Sequence, residues 1–130
     1  MSRLTVVKMA AGLLAGVWAS ISVVLQVLLL LMVLDFVTGL VAAIQTQSLE
    51  SHKGHLGIGK KAVELALIAA TAITQQHLRL DLPLTEVVAG FYIANEFISI
   101  LENAATAGVP VPTILRDVLA KLNVTDLKKD

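Results

Sequence analysis

From residue 4 to residue 44 the chain has no proline, and its only charged side chains are Lys8 and Asp35. Wound as one helix, this run would measure about 60 Å at 1.5 Å per residue, twice the roughly 30 Å hydrocarbon thickness of a bilayer. It therefore has to break, or its first part has to lie along a surface. The weak point is residues 16–22, GVWASIS, where glycine, serines and an interfacial Trp18 suit a turn at the headgroups. Residues 23–44 then form a spanning helix, and residues 4–19 form a short helix before it.

Composition supports a bilayer as the solvent. The chain is 56% hydrophobic and 15% charged, whereas soluble domains run near about 45–50% and about 25%. A formal net charge of +0 argues against nucleic acid as a partner, which demands an excess of Lys and Arg. With no cysteine, disulfide frameworks, thiolate metal sites and cysteine nucleophiles are excluded. A cleavable signal peptide is the competing reading of the start: Arg3 and Lys8 are basic, an apolar run follows, and residues 17–19 look like a cleavage site. The apolar run continues through another full span, which argues against cleavage.

Residues 45–61, QTQSLESHKGHLGIGKK, read as a polar glycine-bearing loop. Residues 62–78 form the next span, short, weakly apolar and in need of neighbours, with Glu64 near its start and close to a membrane edge. A tight connector around Pro83 leads to a span over residues 85–107, ended by Gly108, Pro110 and Pro112. In residues 112–123, Ile114, Leu115, Val118, Leu119 and Leu122 share one face, so this segment should be an amphipathic helix on the membrane surface. The expected fold is thus an all-α integral membrane protein forming one domain over residues 1–130. It has three transmembrane helices, a short N-terminal fourth and an amphipathic tail helix. Lys53, Lys60 and Lys61 in the loop, and Arg116, Lys121, Lys128 and Lys129 in the tail, place both the loop and the C-terminus in the cytoplasm. Arg3 and Lys8 join them there only if residues 4–19 span, which favours four spans over three.

Carboxylates inside spans are the leading candidates for function, because an ionised one at the bilayer centre costs about 2.5–3.5 kcal/mol unless it is paired, protonated or wetted. Asp35 and Glu96 are the strongest, with Glu64 and Glu102 nearer interfaces. Thr38, Asn95, Ser99 and Asn103 are the polar groups able to hold them between helices. Alternatively, these groups line an aqueous lesion. Small residues four apart, Gly12 and Gly16, Gly39 and Ala43, Ala62 and Ala66, Ala66 and Ala70, mark faces for close helix packing or self-association. His52 and His55 lack the further ligands a metal site needs, and GIGKK lacks the hydroxyl residue and preceding strand of a phosphate loop. No metal, cofactor or enzymatic constellation is expected.

Three blocks carry a resemblance: LMVLDFVTGLVAAI at residues 31–44, GHLGIGKK at 54–61 and YIANEFISILENAATAGVPVP at 92–112. Together they resemble the phage holin family that includes the toxin-secretion holins of clostridia, over residues 23–122. The resemblance implies a non-enzymatic protein of the bacterial cytoplasmic membrane that forms a homo-oligomer and opens lesions at a set time. An endolysin or a secreted toxin then crosses. It points to Asp35, Thr38, Gly39, Asn95, Glu96, Glu102 and Asn103. A small four-helix transporter, or an antiholin of the same family, are the alternative readings.

Overall fold

A computed structural model describes residues 1–48 and 51–121 of the chain, with the side chains of residues 51–56 and 119 outside the description. Every regular element in the described residues is helical: α1 (Arg3–Ser20), α2 (Val23–Gln45), α3 (Ser51–Leu78), α4 (Leu84–Thr106) and α5 (Thr113–Lys121). The long apolar run breaks where the sequence is weakest. Ile21 and Ser22 are extended, and the Ser22 hydroxyl accepts a hydrogen bond from the Leu25 amide, capping α2. Across the break, the Gln26 amide donates to the Trp18 carbonyl at 2.8 Å.

α2 and α4 are each long and apolar enough to cross a membrane, yet only 17% of the apolar window of each is buried within the chain. The core helix of a soluble protein would be mostly covered. Here most of the apolar surface faces outward, as lipid-facing surface does. The buried centre is small: Leu28 and Met32 from α2, Ile68 from α3 and Ala89 from α4, with Tyr92 and Ile93 packed beside them. Gly39 keeps α4 close, since a Cβ there would lie 3.4 Å from the Asn103 amide nitrogen.

α3 corrects one expectation. Residues 51–61, read as part of a loop, are helical, so α3 starts eleven residues earlier than residue 62 and Glu64 sits near its middle. Its inward face is polar, with Lys61, Glu64, Thr71 and Gln75 partly covered around Ile68, while Ile58, Val63, Leu67 and Ile73 are exposed. Polar residues inside and apolar residues outside is the arrangement of a helix solvated by lipid. It also explains the low apolarity of this segment: its polar residues have partners within the protein. The turn into α4 is tight, with Arg79 in the left-handed region and the Gln75 Oε1 accepting from both the amide and the hydroxyl of Thr85 at 2.8 Å.

α4 ends as its sequence suggests, at Thr106 before Gly108 at φ +80°. The tail helix covers Thr113–Lys121; Leu122 and the terminal lysines, Lys128 and Lys129, lie outside the described residues. α1 contains no buried residue. Because Ala89 is fully enclosed, Ala89→Leu should overpack the centre and cost about 1–3 kcal/mol of stability. Thermal unfolding in detergent checks this, with the exposed Gly90→Ala as the control expected to lose no stability.

Candidate functional site

The polar groups of three helices meet around the ammonium of Lys61. Its Nζ donates to Asp35 Oδ2 at 2.8 Å, to Glu96 Oε1 at 2.8 Å and to Glu96 Oε2 at 2.6 Å. An ammonium has three donors, and all three find carboxylate oxygens. The remaining Asp35 oxygen, Oδ1, accepts from the Asn103 Nδ2 at 2.9 Å. The same amide reaches the Asp35 carbonyl and Thr38 Oγ1, each at 3.1 Å, while the Thr38 hydroxyl donates to the Leu34 carbonyl at 2.8 Å. Glu96 is 3% exposed, and the Asp35 and Lys61 side chains are 13% and 20% exposed. Complete hydrogen bonding is what makes such a group of charges tolerable in a low-dielectric setting.

With its groups ionised, the cluster has two negative charges against one positive. One turn along α3 stands Glu64, whose Oε2 is buried with no hydrogen-bond partner among the described residues. Beside the cluster, a cavity of about 400 Å³ lies between the C-terminal halves of α2 and α4 and the N-terminal half of α3. Asp35, Gly39, Lys61, Ser99 and Asn103 line it, and it extends to Thr46 and Ser48 at the end of α2. Its wall is mixed, with Phe36, Leu40 and Ile58 beside these polar groups, and a partly open cavity of this size has room for several waters at its polar side, in contact with the ion cluster.

Among the residues singled out from sequence, Asp35, Thr38, Glu96 and Asn103 are brought together, with Gly39, Ala43 and Ser99 on the cavity wall. Asn95 and Glu102 are not part of it: both are exposed, about 100° around α4 from Glu96 and Asn103. Gly12 and Gly16 lie on α1 with nothing within 4 Å of a built Cβ, and Ala62, Ala66 and Ala70 face outward from α3. The side chains of His52 and His55 lie outside the described ones; among the described residues no cluster of His, Cys, Asp and Glu could hold a metal ion.

Lys61 is the residue that sequence reading misplaces. Counted by its sequence among the loop lysines, it is instead helical and the centre of the cluster. A signal was present: Gly57, Lys61, Glu64, Ile68, Thr71 and Gln75 recur at helical spacing, straight through the supposed loop boundary.

Comparison with known proteins places the site in context. The model of a bacteriophage holin family matches residues 11–124. An uncharacterised protein of Halalkalibacterium halodurans is 34% identical over 128 residues, covering 95% of this chain and 93% of that one. An uncharacterised 14.9 kDa protein of Clostridium perfringens is 36% identical over 109 residues, 83% and 80% of the two chains. A probable holin of Bacillus phage phi105 is 32% identical over 95 residues, 73% and 70% of the two chains. No solved structure matches. The matching family is non-enzymatic.

Lys61→Met removes the only cation of the cluster and leaves two carboxylates facing each other, a loss expected to cost about 3–5 kcal/mol. Adding Asp35→Asn and Glu96→Gln to Lys61→Met should recover much of it, because the three changes share one network. Unfolding of the single and triple variants in the same detergent measures the coupling.

Proposed function

The chain belongs to the bacteriophage holin family, and from that premise we propose that it is a holin proper. In this reading it accumulates in the bacterial cytoplasmic membrane, self-associates and opens lesions through which an endolysin, or a secreted toxin, crosses. α1 to α4 all span, the C-terminus is cytoplasmic, and α5 lies on the inner surface. Lys53 and Lys60 remain as cytoplasmic markers once Lys61 is assigned to the ion cluster, and the tail still carries Arg116 and Lys121.

The observation that carries this reading is the enclosed ion cluster within a bundle whose outer surface is largely apolar. While α2, α3 and α4 stay packed, Asp35, Lys61 and Glu96 satisfy one another and the chain is compatible with lipid. Separation of the helices would expose the same groups, and only water could then solvate them. The polar inner face of α3 would thus become lesion lining, and the cavity at Asn103 is the place where water already has room to start. The net negative charge of the cluster favours this opening, since one ammonium cannot neutralise two carboxylates.

Expression of the chain in bacteria should cause an abrupt loss of membrane potential, followed by lysis only when a cytoplasmic endolysin is co-expressed. Asp35→Asn and Glu96→Gln are expected to shift the time of potential loss. Unchanged timing in both would reduce the cluster to a structural role. Delay of lysis by a co-expressed holin would identify an antiholin instead, and intact potential at full membrane accumulation would favour a transporter.

A further inference from the structure

α4 carries two polar seams. Glu96 and Asn103, seven residues apart, face the bundle, while Asn95 and Glu102, also seven apart, lie exposed about 100° around the helix. The inner seam is matched by Lys61 and by Asp35 with Thr38. For the outer seam, neither the Asn95 nor the Glu102 side chain has a hydrogen-bond or ion-pair partner among the described residues. In a bilayer an uncovered pair of this kind is costly, and a second protein surface over it would relieve that cost.

α1 has the complementary defect. It is apolar along most of its length, wholly exposed, and makes no extended contact with any other helix. Lys8, its one charge beyond the first residue, also lacks a described partner. Taking the proposed membrane-spanning holin as the basis, we propose that α1 of one copy packs antiparallel on the outer face of α4 of a second copy, with Lys8 paired to Glu102.

Depth supports this pairing. Leu28 and Met32 pack with Ala89, and Asp35 and Gly39 meet Asn103, so α2 and α4 run in the same direction. With Asn103 level with residues 35–39 and Ala89 in one core with Leu28 and Met32, Val23 is level with the first turns of α4, between its start and Ala89. When α1 turns back from Ser20 across its two-residue link, Lys8 lies twelve residues further in, about 18 Å, level with the stretch between Asn95 and Leu101. The outer seam spans that depth, and the long lysine stem reaches along it to Glu102. Going outward from the ion pair, Gly12 and Gly16 lack side chains and let α1 approach α4 closely around Asn95 and Phe91. Charge selects this partner over α4 of another copy, since two α4 helices meeting through this face would bring Glu102 near Glu102. Each copy offers both an arm and a receiving face, so the contact repeats head to tail and builds rings or larger arrays.

The chain has no cysteine, so the contact can be tested by crosslinking in native membranes before any loss of potential. A tagged Lys8→Cys copy and a differently tagged Glu102→Cys copy, co-expressed, should be joined by a short bis-maleimide. The yield should clearly exceed that of Lys8→Cys with Ala62→Cys, a control on the outer face of α3. With reporter cysteines moved to Ala19 and Val87, Lys8→Glu or Glu102→Lys alone should lower the inter-copy product about three- to tenfold, the range of polar contacts between membrane helices. The combined charge swap should restore it. Glu102→Cys copies crosslinking only to one another would overturn the proposal in favour of α4 pairing. Joining confined to a doubly substituted chain diluted with unsubstituted copies would overturn it in favour of α1 folding onto its own α4. A yield no higher than the Ala62 control would also overturn it. The readout is independent of lysis: a chain that crosslinks as expected yet leaves the potential intact would refute the holin reading and leave the arm contact standing.

Discussion

Two carboxylates held by one ammonium decide how this chain can exist in a membrane. Lys61 reaches Asp35 on α2 and Glu96 on α4 from α3, so a single side chain ties together three helices that share little buried apolar surface. In water the hydrophobic effect would drive those helices together. In lipid that force is absent, and packing, small residues and polar contacts take over. Gly39 brings α2 and α4 close enough for Asn103 to reach the Asp35 backbone and side chain, and the core of Leu28, Met32, Ile68 and Ala89 fills what lies on the other side. The bundle depends on the cluster in a way that a soluble domain of this size would not.

The same dependence explains why α3 looks so poor as a spanning helix. Its polar residues are not a failure of apolarity spread around the helix; they are gathered on one side. Lys61, Glu64, Thr71 and Gln75 face inward, and the outward side retains Ile58, Val63, Leu67 and Ile73. A mean over the segment mixes the two faces and hides the pattern. Glu64 is the exception to satisfaction, with one buried oxygen left without a described partner.

This is where reading from sequence reaches its limit. Asp35, Thr38, Glu96 and Asn103 are legible because each is a polar group inside an otherwise apolar stretch, and such groups need a reason to be there. The α1–α2 break is legible as well, since Ser22 is a local cap. Lys61 is not, because lysine beside two glycines reads locally as a cytoplasmic loop. Its partners are carboxylates 26 and 35 residues away in the chain. Nor does sequence distinguish Asn95 from Glu96 without the helical register. Neighbours in the chain lie about 100° apart on a helix, and one turns to the bundle while the other turns away.

If the chain opens lesions as proposed, the arrangement also bears on how one sequence can be first quiet and then destructive in a membrane. A permanently wetted channel has no need for full internal pairing of its charges, and a stable bundle has no need for an excess of carboxylates beside a cavity. In this chain the Asp35–Lys61–Glu96 cluster is paired internally and, with its groups ionised, still carries that excess beside the cavity. The paired state lowers the cost of insertion, while the unbalanced charge and the space at Asn103 limit how much more stable that state is than a hydrated one. If neighbouring copies cover the outer seam of α4, crowding adds contacts that a lone chain lacks, and the balance between the two states then depends on concentration. Under the proposed holin role no separate clock is needed: accumulation of the protein itself would set the moment at which an assembled, hydrated state prevails.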